Sequence, residues 1–220
     1  TNPHILSGLG SNTTYDFYVR AYCGAGDSSS WVGPQSFTTT SAGSGVLPFI
    51  EDWESNHGLR NTDGLIYQDT NYYYWSFETS HQSEGHIRWG NQTWQAHDGA
   101  GALTMDKYPN TGSNAINYAI LTLDLSDYTT NNDLELSFWW ADHSDEEHPR
   151  DKVWVRGSDA DAWVEIYDLN PTTVSNNSYQ SVIGLDIDLA LANASPAQTV
   201  SSTFQLRFGQ EDNSFTPGDG

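Results

Sequence analysis

The sequence predicts an all-β fold, an antiparallel β-sandwich, and three observations predict it. Runs of eight to eleven residues alternate apolar and polar side chains, as in "DLELSFWWA", "DKVWVRGS" and "STFQLRFGQED", and that period of two suits strands with one buried face. Clusters of Gly, Asn, Asp, Ser and Pro separate the runs at hairpin spacing. A helical period of 3.6 residues is almost absent: "DLALANASPAQ" is the one helix candidate, and Pro196 ends it early.

Taken in order, residues 1–40 read as short strands and turns. "YDFYVRAY" sets Tyr15, Phe17, Val19 and Ala21 against Asp16, Tyr18, Arg20 and Tyr22, a strand with one face to bury. "CGAGDSSSW" supplies a turn, and "GPQSFTTT" a shorter strand. Residues 41–46 continue a Ser/Gly-rich stretch, "TTSAGSGVLP", that ends in a proline and reads as a linker. From residue 47 to residue 220 the strands are "GHIRWG", "GALTMDKY", "NAINYAILTLDL", "DLELSFWWA", "DKVWVRGS", "WVEIYDL", "SVIGLDIDLA" and "STFQLRFGQED". "NYYYWSF" is a further extended segment, with Tyr73, Trp75 and Phe77 on one side and Tyr72 and Tyr74 on the other.

Two resemblances follow from these motifs. "SGL", "NTTY", "VRAYCGAG" and "SSWVGPQSFTT" resemble the C-terminal half of a fibronectin type III domain, with Tyr15 as that family's corner tyrosine. Half a sandwich leaves a sheet face bare, so this piece is expected to need upstream residues or a strand from another molecule. "PFIEDWE", "GAGALTMD", "AILTLDLS", "LELSFWW…DEEHPRDKVWVRGSDADAWVEIYDL" and "FQLRFGQEDNSFTPGDG" are similar, in that order, to the MAM-like jelly roll of secreted bacterial proteins, related to cleaved-adhesin modules. That resemblance covers residues 47–220. The chain has "SDADAW" where the family has a glycine-rich hairpin, and it stops after "TPGDG", where the family continues into a last strand. The implied domain is a jelly roll lacking that strand.

Composition narrows the function. Eight Lys plus Arg against 29 Asp plus Glu give a formal charge of −21, which repels phosphate backbones and argues against nucleic acid. No run of eighteen apolar residues is present, so no membrane insertion is expected, and the N-terminus lacks the basic-then-apolar order of a signal peptide. The first residue therefore reads as the interior of something longer. One cysteine, Cys23, gives no internal disulfide framework. Abundant Asn, Thr, Ser, Gly, Tyr and Trp suit a secreted or cell-surface β-protein.

The loop in "FWWADHSDEEHPRDKVWV" holds the densest set of chemical side chains. His143 and His148 lie five apart rather than the four a zinc-protease helix requires, and Pro149 forbids a helix there. Asp145, Glu146, Glu147 and Asp151 are hard oxygen ligands that suit calcium, or they are a solvated loop. By the jelly-roll resemblance, Glu54 of "EDWE", Asp106 and Asp219 are candidates for a structural calcium ion at the sheet edge. No nucleophile set, phosphate loop or marked carboxylate pair stands out, so no catalysis is expected.

Aromatics remain. Tyr72, Tyr74, Trp75, Trp89 and Trp94 are candidates for stacking on sugar rings, against the alternative that tryptophans in a β-protein fill its core. The expectation is a non-catalytic adhesion or carbohydrate-binding module of a larger secreted or surface protein. Its partners would be a polysaccharide or cell-surface glycan, or a neighbouring protein subunit. The alternatives are a filament subunit assembled by strand complementation and an accessory region of a polysaccharide-degrading enzyme or protease.

Overall fold

A computed structural model describes residues 14–24, 27–38, 47–55, 59, 74–81, 85–90, 95–107, 114–129, 133–142, 148–169 and 178–213. The expected linker at 41–46, the loop at 143–147 and the closing residues 214–220 lie outside the described residues. Among the described residues the chain is mostly antiparallel strand with one short α-helix, as the alternation predicts.

The first unit is a ribbon. Strand β1 (Thr14–Val19) pairs antiparallel with β4 (Val32–Thr38), Tyr15 opposite Phe37, and two small strands, β2 (Tyr22–Gly24) and β3 (Asp27–Ser28), form where a plain turn was expected. Tyr15 stacks on Phe37 at 5.9 Å, Phe17 tilts against the same ring, and Arg20 lies 4.7 Å over Trp31. The face expected to be buried is not: Phe17 is 41% exposed and Val19 55%. The alternation correctly groups these side chains, but no second layer among the described residues covers them.

The larger unit begins with the segment at residue 47. Its strands are β5 (Trp75–Thr79), β6 (Gly85–Gly90), β7 (Ala102–Lys107), β8 (Ala115–Leu123), β9 (Glu135–Trp140), β10 (Lys152–Arg156), β11 (Val164–Asp168), β12 (Gln180–Asp186) and β13 (Phe204–Asp212). Five of them make one sheet in the order β11-β10-β13-β8-β5, while β9 pairs with β12 and β6 with β7. Registers fix the faces. Trp75 lies opposite Leu121, Leu121 opposite Leu206 and Leu206 opposite Val155, so one face is a continuous apolar row. Phe77, Ala119, Phe208 and Val153 form the next row.

Strand β9 lies over this inner face: Phe138 meets Phe208 edge-on at 5.2 Å and Tyr167 at 5.7 Å. That contact makes the architecture two-layered, and Leu136 and Phe138 join the core while Glu135, Ser137 and Trp139 point away. Full burial of each such Leu, Val or Phe contributes about 1.5–3 kcal/mol.

The helix candidate is a helix, shortened to α1 (Ile187–Ala192). The Asp186 carboxylate accepts from Leu189 N at 2.8 Å as its N-cap, and Ile187 and Leu191 bury their side chains. The β6–β7 ribbon carries charge inward as well as apolar surface: His86, Asp106 and Lys107 are all buried. Lys107 is 0% exposed and donates from Nζ to Asn213 O at 3.3 Å, while Asn117 donates to Asp106 O at 2.7 Å.

Candidate functional site

The described members of the predicted aromatic set are held by the fold. Trp75, 7% exposed, donates its indole N–H to Glu51 Oε2 at 3.0 Å, with its ring parallel to Phe77 and 5.0 Å from Trp53. Tyr74 is half-buried with its ring edge-on to Phe49 at 5.3 Å. Trp89, also half-buried, donates its indole N–H to Trp53 O at 2.7 Å and packs against the core. Tyr72 and Trp94 lie outside the described residues.

The predicted carboxylates are engaged one by one. Glu54 Oε1 accepts from Ala100 N at 2.8 Å and Gly101 N at 3.3 Å, tying the opening segment to the turn before β7. Gly99 makes room for it. A Cβ there would stand 2.1 Å from Glu54 Oε1, and its φ of +69° is one that side chains rarely adopt. Asp106 of β7 lies opposite His86 of β6, bonded to Arg88 and 3.1 Å from His86 Nδ1, so its charge is compensated from the facing strand.

Asp151 accepts from Glu211 N at 2.7 Å and His148 N at 2.9 Å. Burial pushes its carboxyl up to about 6, outweighing the two amide bonds that pull it down. Among the described residues these three carboxylates do not gather into one ligand set; the only such group is Asp133, Asp186 and Asp188. Two of those have structural work: Asp186 caps α1 and Asp188 accepts from Leu134 N at 2.6 Å. Asp145, Glu146 and Asp219 lie outside the described residues.

A different aromatic cluster is open to solvent. Trp139 is 53% exposed on the outward face of β9, because its neighbours Phe138 and Trp140 take the inward positions. His97 stacks on it at 3.9 Å and 17° between planes, and Tyr179 meets His97 edge-on at 5.1 Å. The Tyr179 hydroxyl donates to Gln95 O, and burial raises that phenol's pKa. Three segments distant in sequence thus meet at one indole, with His97 laid over one of its faces and about half of its surface wet. Such a platform can stack against the C–H face of a pyranose.

Sequence reasoning missed this cluster, although "FWW" carried a signal: two adjacent tryptophans on a strand must face opposite ways. The chain matches no protein-family model, no curated protein and no solved structure.

Proposed function

We propose that the chain is a non-catalytic extracellular adhesion or carbohydrate-binding module of a larger secreted or surface protein, a jelly roll preceded by part of a fibronectin type III domain. The observation that carries this reading is the exposed Trp139 platform with His97 and Tyr179. Aromatic contacts of this kind contribute about 0.5–1.5 kcal/mol beyond the area they bury. A glycan array probed with the whole chain tests it, followed by titration of any hit against Trp139→Ala. The expected result is a hit weakened about tenfold or more by the substitution, equivalent to ~1.4 kcal/mol. Silence across the array, or equal binding by the variant, would sink the proposal.

Calcium as a structural cofactor belongs to the same reading, supported by the carboxylate surplus and the jelly-roll resemblance. Chelator should then lower the melting temperature, and an unchanged melting temperature removes calcium from the account. A second reading, assembly with a neighbouring subunit, is favoured by the β1–β4 ribbon, where Phe17, Tyr18, Val19, Trp31 and Val32 are all exposed.

A further inference from the structure

The outward face of the five-stranded sheet carries an arginine in an unusual setting. Arg207 of β13 lies directly opposite Trp154 of β10, and its guanidinium carbon stands 4.2 Å from the Trp154 ring centroid. The same carbon is 4.4 Å from the Tyr118 ring and 4.2 Å from Trp163. Tyr118 and Trp154 meet edge-on at 6.0 Å above Gly209, where a Cβ would come within 2.6 Å of Trp154 and 2.9 Å of Tyr118. A glycine at that position is therefore what lets the two rings close around the cation.

Aromatic faces hold a cation, but they do not satisfy the in-plane N–H groups of a guanidinium, which has five donors. Among the described residues Arg207 has no hydrogen-bond acceptor and no carboxylate within ion-pair distance, and its Nε is fully buried without a partner. Arg156, on the neighbouring position of the same face, is the control. It stacks 4.3 Å over Trp163, yet it donates to Gln205 Oε1 at 2.7 Å and to Asp161 O at 3.3 Å. Arg156 has acceptors in the fold, and among the described residues Arg207 has none. Burial pulls Arg207's pKa down, with Tyr118 and Glu78 opposing the shift and Arg156 and Arg150 adding to it; an arginine nevertheless keeps its charge. Arg150, Arg156 and Arg207 are three of the eight basic residues in a chain of net charge −21, and they share this region with Glu78, Asp159 and Asp161.

We propose that this sheet face binds the carboxylate of an acidic glycan, a uronate residue, with Arg207 taking the carboxylate. A planar two-oxygen anion matches the guanidinium fork between flat rings. A sulfate would turn a third terminal oxygen toward the aromatic faces with no donor for it. Trp154 and Trp163 hold the guanidinium in place through their rings, and Gln205, bonded to Thr122 Oγ1 at 2.9 Å, stands on the same face of β13. The site rests on the glycan-binding reading for its class of partner, but on different residues and on the opposite side of the sandwich from Trp139.

Isothermal titration of the full chain with trigalacturonate, with its methyl ester and with a sulfated galactan oligosaccharide tests the assignment. The expected result is saturable binding of trigalacturonate that weakens about tenfold or more in the methyl ester and in Arg207→Gln, and weakens with added salt. Arg207→Lys, which keeps the charge and loses the fork, should bind less tightly than wild type. Should Arg207→Gln fail to fold, the Nε–Hε resonance of Arg207 in the wild-type protein decides: it should shift on adding trigalacturonate and not on adding the ester. Equal binding of acid and ester, binding of the sulfated galactan alone, or an unmoved Arg207 resonance overturns the proposal. A neutral glycan bound through Trp139 with no uronate preference would overturn it too, while leaving the broader function standing.

Discussion

The β1–β4 ribbon and the large sandwich are written in the same code and end in opposite states. In both, aromatic and β-branched residues alternate with polar ones, and rings meet, Tyr15 with Phe37 across the ribbon and Trp75 with Phe77 along β5. Yet Phe17 is 41% exposed while Phe77 is 5%. The difference is the second layer: β9 lies over the five-stranded sheet through Phe138, whereas none of the described residues of the ribbon joins the core. Alternation therefore tells which side chains share a face. Whether that face is covered is decided by distant chain.

The strongest way to break this comparison is to truncate the same residue type in both units. Phe77→Ala should cost about 3–5 kcal/mol in denaturant unfolding, since it leaves a cavity lined by Trp75 and Ala119 rows. Comparable losses at both positions would show that the ribbon is covered after all, so the companion Phe17→Ala is expected to be the smallest effect considered, below ~1 kcal/mol.

Between those extremes lies a pH effect confined to the sandwich. Asp151 has its carboxyl raised from 3.8 to about 6 by burial. A carboxyl raised on folding favours the fold fully only below its unfolded value, and that contribution is lost as pH rises through 6. Wild-type stability should therefore gain ~1–2 kcal/mol from this group between pH 7 and pH 4, on the scale of 1.36 kcal/mol per pKa unit with a discount for partial solvent access. Asp151→Asn keeps an acceptor for Glu211 N and should show a correspondingly flatter stability curve over that interval. The general relief of acidic repulsion is common to both proteins, so parallel curves would remove Asp151 as the source.

Much of the framework was legible in the sequence because it is local. "GHIRWG" is β6 residue for residue, and "FWWADHSDEEHPRDKVWV" begins in strand β9 and ends in strand β10 as expected. The helix α1 is short, ending at Ala192, four residues before Pro196. What was not legible depends on partners far along the chain. Glu54 finds the amides of residues 100 and 101, and Asp106 finds Arg88 across a ribbon. A carboxylate that reads as a free ligand in sequence can already be occupied in space. The Arg207 setting is harder still, because its three rings come from β8, β10 and the approach to β11.

The two lysines of the chain also divide by location. Lys152 sits at the rim, bonded to Glu165 at 2.8 Å, whereas Lys107 is sealed beneath the β6–β7 ribbon. Amine-directed acylation of the native protein thus has one ready target of the two, beside the arginine-bearing face. Any label found on Lys107 records a molecule whose ribbon had lifted, which makes that side chain a chemical clock for local opening.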